Sequence, residues 1–125
     1  MTLPKPTEGE LAILRVIWER GSCTVRDIHQ VLGRTQYTTV LKLLQIMTEK
    51  GLVRREELGR THFYRACRSE AQTQRQLVKD LLARAFGGSA VDLVVQALAA
   101  KRATPSELKA IQKLIDRSRK ARHGQ

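Results

Sequence analysis

Residues 36 to 45 read QYTTVLKLLQ. Gln36, Tyr37, Thr38 and Thr39 set an amide, a phenol and two hydroxyls side by side, and Lys42 and Gln45 return to nearly the same side if the stretch is helical. These groups donate and accept hydrogen bonds, but they include no thiol, imidazole or carboxylate. A threonine hydroxyl can meet a phosphate or a base edge, and its methyl can meet a thymine methyl. The chemistry open to this stretch is recognition rather than bond-making. Tyrosine and threonine are also poor helix formers, so their place at the head of an apolar helix needs a reason. Either the surface reads a partner, or the threonines simply cap the helix.

Residues that could do bond-making chemistry are scattered. His29, His62 and His123 fall in three different elements, and Cys23 and Cys67 have no second ligand at the short separations of a zinc site. No phosphate-binding glycine loop of the P-loop or dinucleotide type occurs, and Gly87-Gly88 reads as a corner between helices. No catalytic residue, no metal and no cofactor is therefore expected. Two cysteines cannot build a disulfide framework. No segment reaches the roughly 18 apolar residues of a membrane span, and MTLPKPTEGE lacks the apolar run of a secretory signal. The expectation is a soluble cytoplasmic protein with no membrane partner.

The elements that must hold the recognition stretch follow from caps and periodicity. Thr7 and Glu10 have the spacing of a capping box, Leu11, Leu14, Ile17 and Trp18 share a helical face, and Gly21 ends the run. Thr24 opens a second helix with Val25, Ile28, Val31 and Leu32 as its stripe and Gly33 as its stop. The third runs from about Tyr37 to Gly51, with Val40, Leu43, Leu44 and Met47 inward. LVRREEL and THFYRA then alternate as two short strands around Leu58-Gly59-Arg60. Three more helices follow: one carrying Leu77, Leu81 and Phe86, one from Ser89 with Val91, Val94, Val95 and Leu98, and one from Thr104-Pro105 with Leu108, Ile111, Leu114 and Ile115. The basic tail RSRKARHGQ has two readings: a run that adds nonspecific DNA affinity or contacts an acidic partner surface, or a solvated, frayed end, and the second is the expectation.

Three helices and a two-stranded wing over residues 1–67 describe a winged helix-turn-helix module, so the fold class is mainly α. In that motif the second helix of the pair sets its amino-terminal residues against base edges in the major groove. Gln36, Tyr37, Thr38, Thr39, Lys42 and Gln45 become the candidate reading surface. Arg54 and Arg55 on the first strand, Arg60, Thr61 and His62 at the wing, and Arg26 on the second helix are candidate phosphate contacts, which add affinity with little sequence information. The composition agrees: 23 Lys and Arg against 12 Asp and Glu give a net charge of +11, which attracts a polyanion. A merely solubilising surface has the same net charge, and residues 1 to 66 carry +4 against +7 for the rest, so location decides rather than the total.

Residues 68–125 carry apolar stripes too extensive for so short a segment to bury alone. Leu77, Leu81, Val94, Leu98, Leu108, Ile111 and Ile115 are the expected dimerisation residues, with a second copy supplying the missing core. The alternative is that these helices fold back onto the winged module of their own chain. On function, the alternative to a DNA-binding regulator is a winged-helix scaffold whose basic surface docks an acidic partner protein.

TVRDIHQVL, YTTVLKLLQIMTEKGLVRR, GRTHFYRA and LVKDLLARAFGGS, in this order and spacing, resemble the penicillinase-repressor family of BlaI and MecI type, to which the CopY-type copper repressors also belong. The resemblance spans roughly Thr7 to Ser118. It implies an amino-terminal winged helix, a carboxy-terminal helical dimerisation domain, and a homodimer that represses antibiotic-resistance genes from a palindromic double-stranded DNA operator. Tyr37, Thr38, Thr39 and Lys42 match the family's reading-helix start, and Gly59-Arg60 its wing. In some members a signalling protease pathway ends repression at an Asn–Phe bond, where this chain has Gln96-Ala97. The copper-responsive members carry Cys-x-Cys pairs near the carboxyl end, which IDRSRKARHGQ lacks.

Overall fold

Side chains set the start of nearly every helix. In α1 (Glu8–Arg20) the Thr7 hydroxyl accepts from the Glu10 amide at 3.3 Å, and the Glu10 carboxylate accepts from the Thr7 amide at 2.9 Å. α2 (Val25–Leu32) repeats the device with Thr24 and Asp27 at 3.1 and 3.0 Å. α3 (Tyr37–Lys50) stops at Gly51, whose φ of +80° suits a residue without Cβ, and the Leu52 amide then donates to the Met47 carbonyl at 2.9 Å. β1 (Val53–Leu58) and β2 (Thr61–Ala66) pair antiparallel, from Val53 opposite Ala66 to Leu58 opposite Thr61. α4 (Glu70–Ala85), α5 (Ala90–Ala100) and α6 (Pro105–His123) complete the order. This computed structural model describes residues 4–123. Residues 1–3 and the tail's last two residues, 124–125, lie outside the described residues, as does the His123 side chain. The architecture is the expected winged helix-turn-helix followed by a helical region.

The chain divides into two compact units, Met1–Asp80 and Leu81–Gln125. The core of the first is built from Ile13, Leu14, Val16 and Ile17 of α1, Val25 and Ile28 of α2, Val40, Leu44 and Met47 of α3, and Leu52, Val53 and Tyr64 of the wing. The wing is fastened at its base, because Cys23 and Tyr64 exchange backbone hydrogen bonds at 3.1 and 2.7 Å. Beyond Cys67 the first turns of α4 belong to this unit: Thr73 is buried, the Gln76 side-chain Nε2 donates to the Pro4 carbonyl at 3.5 Å, and Lys5 pairs with Asp80 at 2.6 Å.

The stripes differ in detail from those expected. Ile13 and Val16 are buried while Leu11 and Trp18 are only partly so, because α1 packs against α2, α3 and β2 and needs a wider apolar face than one stripe. Trp18 instead donates its indole N–H to the Arg68 carbonyl at 3.0 Å. Val31 is 47% exposed. The tail is a correction: α6 continues through RSRKARH instead of fraying. Arginine, lysine and alanine are good helix formers, and cations suit the negative end of the helix dipole.

Among the described residues of the first unit Glu10 is the buried charge, 1% exposed. It joins the start of α1 to the end of α3 by accepting from the Lys50 ammonium at 3.0 and 2.9 Å. Burial works to raise its pKa, but donation from the Thr7 amide, the Lys50 ammonium and the Thr7 hydroxyl outweighs burial and holds the carboxyl below its ordinary value of 4.5. A group depressed in this way contributes stability that is present above the unfolded pKa and lost as pH falls through the folded one. Denaturant melts from about pH 7 down to about pH 3 should therefore show the wild type losing, below its ordinary carboxylate range, stability that Glu10→Gln lacks throughout. Lys50→Met strands the buried carboxylate. It should cost about 2 kcal/mol at neutral pH, less than for a fully buried pair because the lysine side chain is 33% exposed.

Candidate nucleic-acid interface

The connection from α2 to α3 is short. The Gly33 amide donates to the His29 carbonyl at 2.9 Å, Arg34 turns back onto the Leu32 carbonyl at 2.6 Å, and α3 begins two residues after Thr35. Gln36 occupies the cap position, yet its side chain makes no capping hydrogen bond. Every other described helix has one. Thr7 and Thr24 cap α1 and α2, Ser69 and Gln72 bracket the start of α4, Ser89 accepts from the Asp92 amide, and Thr104 with Glu107 forms a box at α6. The Glu107 carboxyl is held below its usual range, first by the Thr104 amide and then by the Thr104 hydroxyl.

Tyr37, Thr38 and Thr39 are the first three residues of α3, so neither threonine stands at the cap. Thr39 and Val40 donate to the Gln36 carbonyl, both at 3.1 Å, while the Tyr37 and Thr38 amides have no protein partner among the described residues. The amino end of α3 thus combines unpaired N–H groups, the positive end of the helix dipole, and two exposed hydroxyls. Such an end suits an anion, phosphate above all. Between the two explanations for the threonines, capping is the one the geometry removes.

All twelve candidate contact residues are exposed: Arg26, Gln36, Tyr37, Thr38, Thr39, Lys42, Gln45, Arg54, Arg55, Arg60, Thr61 and His62. Val40, Leu44 and Met47 are each 0% exposed, so the apolar stripe of α3 fixes the polar residues on its outer side. Arg26 follows the Thr24–Asp27 box, where the Thr24 amide, against a smaller effect of burial, holds the Asp27 carboxyl below its usual range. At the wing tip a two-residue turn places Gly59 at φ +67°, which lets Leu58 face Thr61 and leaves Arg60 at the apex.

Arg54 and Arg55, adjacent in sequence, lie on opposite faces of the hairpin because strand side chains alternate. Arg54 faces Arg65 across the ladder, and Glu56 stands between them at 3.4 and 3.7 Å. Arg55 shares its face with Tyr64 and, toward the tip, His62. Arg54 is thus the partly neutralised member of the pair. The i, i+2 spacing of Arg54 and Glu56 signals this in the sequence once a strand is assumed.

One participant has no such signal. His29 of α2 meets the Tyr37 ring edge-on, with centroids 5.6 Å apart and planes at 80°. The contact steadies the first side chain of α3 from the neighbouring helix. Only the packing of α2 on α3 creates it.

Nothing in this surface resembles a reaction centre. Burial, assisted by the Asp27 charge, pushes the Cys23 thiol up, which keeps it protonated and unreactive. Among the described residues no group of three His, Cys, Asp or Glu side chains comes together to hold a metal ion, and no single helix is long and apolar enough to cross a membrane.

A family model described as penicillinase repressor matches residues 6–117 of the chain. No curated protein matches it.

Threonines that cap a helix and threonines that do not respond differently to substitution. Thr24→Ala should lower stability by about 1 kcal/mol. Thr38→Ala and Thr39→Ala should leave it unchanged or raise it by up to about 0.6 kcal/mol each, since alanine is the better helix former. Urea melts of the three variants check this, and losses at Thr38 and Thr39 matching that at Thr24 would restore the capping explanation.

Proposed function

The chain belongs to the penicillinase-repressor family, a family of DNA-binding transcriptional repressors, and we propose that it acts as a homodimer which holds a palindromic operator and so silences genes of antibiotic resistance, of the β-lactamase or penicillin-binding-protein type. Its work is occupancy: bound protein excludes polymerase from the promoter, and no covalent bond changes. The observation that carries this reading is the uncapped amino end of α3, with Thr38 and Thr39 exposed beside it.

In the major groove Thr38, Thr39, Lys42 and Gln45 would meet base edges while the free amides and Gln36 take phosphate oxygens. Tyr37, braced by His29, would fix how deeply the helix sits. Arg60 and His62 on the wing, with Arg55 and Arg26, would grip the backbone, where contact is insensitive to sequence. Two such modules would engage half-sites about 10–10.5 bp apart, or a small multiple of that.

The second copy is supported by the apolar surface of residues 81–123. Among the described residues of that unit none is buried, and Leu81, Val94, Leu98, Leu108 and Ile115 are each between 38% and 48% exposed. Ile111, Leu114 and Ile115 line a shallow groove on α6 whose edge is formed by Ser118, Arg119 and Arg122. A second α6 of the same sequence would cover that groove, and Leu77 on α4 would extend the same kind of contact.

Two variants test the halves of this proposal separately. Operators are first selected from a random duplex pool with the wild-type protein. The double substitution Thr38→Ala, Thr39→Ala should then lose discrimination between selected and scrambled duplexes, at on the order of 1–3 kcal/mol per base contact removed. Unchanged discrimination would sink the assignment of α3. Ile111→Asp should sediment as a monomer and lose tight operator binding while its winged module still melts cooperatively. A wild type that sediments as a monomer at assay concentrations would overturn the dimer.

A further inference from the structure

α6 has a second face that the dimer does not use. Lys109, Lys113, Arg117 and Lys120 recur at i, i+4, i+8 and i+11, which stacks them in one row along the helix. All four are exposed, and none forms an ion pair among the described residues. The row lies away from Leu108, Ile111, Leu114 and Ile115, so it stays in solvent when the apolar stripe is covered. It spans about 16 Å at 1.5 Å per residue, and phosphates follow one another every ~3.4 Å along a DNA strand.

Local stability does not explain this row. Helices gain from opposite charges four residues apart and lose from like ones, yet Lys109 stands over Lys113 and Lys113 over Arg117. The helix dipole favours cations only in the last turns, whereas Lys109 and Lys113 sit in the first half of α6. The acidic groups of the same helix are otherwise engaged: Glu107 accepts from the Thr104 backbone amide at 3.2 Å, and Asp116 accepts from the Gln112 side-chain Nε2 at 3.2 Å. Residues 81 to 125 carry nine basic and three acidic side chains, net +6, in the unit that holds no reading helix. A one-signed row that costs its own helix stability calls for a polyanion.

We propose that the Lys109–Lys113–Arg117–Lys120 face of α6 is a second duplex-binding surface, sequence-blind and directed at the phosphate backbone. It rests on the dimeric operator-binding reading in one respect, that the apolar side of α6 is occupied by the second copy. Bound through this face, the repressor would hold DNA flanking its operator or bring a second duplex segment alongside. Affinity from this source falls steeply with salt, because each phosphate neutralised releases counterions.

The test uses the full-length chain with all four residues changed, Lys109→Gln, Lys113→Gln, Arg117→Gln and Lys120→Gln, since glutamine keeps helix propensity. Circular dichroism and sedimentation confirm that helix content and oligomeric state are those of the wild type. Binding is measured against a random-sequence duplex over a range of salt, and against vesicles containing phosphatidylserine. The expected result is weaker binding to random duplex and a flatter log–log salt slope, by roughly 0.9 for each phosphate no longer neutralised. Preference for selected operator over scrambled duplex stays intact. A salt slope equal to the wild type's overturns the proposal. So does a wild type whose vesicle binding exceeds its duplex binding and depends on these four residues, which would assign the face to an anionic membrane surface. Failure of the operator reading looks different: it appears as absent sequence discrimination in the wild type, whatever the α6 variant does.

Discussion

The burial of one side of α3 governs the rest of the molecule. Val40, Leu44 and Met47 reach into the core at i, i+4 and i+7 and are sealed from solvent. With those three fixed, the rotation of the helix about its axis is fixed too, and Thr38, Thr39, Lys42 and Gln45 have no choice but the outer side. The two ends of α3 are then treated in opposite ways. Its carboxyl end is closed by Gly51 and tied through Lys50 to the buried Glu10. Its amino end carries no closing side chain. A helix anchored at one end and unsatisfied at the other presents its free amides at a defined place, which is what reading DNA by a helix requires.

The second unit obeys a different constraint. A short segment exposes most of its surface whatever its sequence, and here the exposed share includes Val91 at 72%, Leu114 at 56% and Val95 at 53%. Such surface in water is unfavourable by roughly 25 cal/mol per Å². In the homodimer we propose, symmetry would turn that cost to use. A stripe that covers its own copy creates a two-fold axis, and a two-fold axis in the protein is what a palindromic operator mirrors.

The sequence was most legible where local chemistry decides the structure. The Thr7–Glu10 box, Thr24 as a start, Gly51 as a stop and the Leu58–Thr61 turn all depend on neighbours within a few residues, and each lies where its residue types indicate. The outward position of Thr38 and Thr39 was legible for the same reason, because the apolar period of α3 is strong. Legibility failed where distant elements meet. The breadth of α1's buried face depends on three partners, the His29–Tyr37 contact on how α2 lies against α3, and the burial of Glu10 on a lysine forty positions away. The tail failed differently: a run of like charges suggested a frayed end, and its described side chains are exposed, but the high helix propensity of arginine, lysine and alanine carried α6 on to His123.

The indole of Trp18, bonded to the Arg68 carbonyl, has a spectroscopic consequence. It is the chain's one tryptophan, and both tyrosines, Tyr37 and Tyr64, lie in the same unit, whereas residues 81–125 contain neither. Intrinsic fluorescence of this protein therefore reports the winged module alone, while far-ultraviolet ellipticity is shared with the silent carboxy-terminal helices. Because the emitter is hydrogen-bonded to the segment leading into α4, its emission maximum also registers whether that junction is intact. A difference between the two optical transitions thus measures, without any label, how far the two units unfold as one.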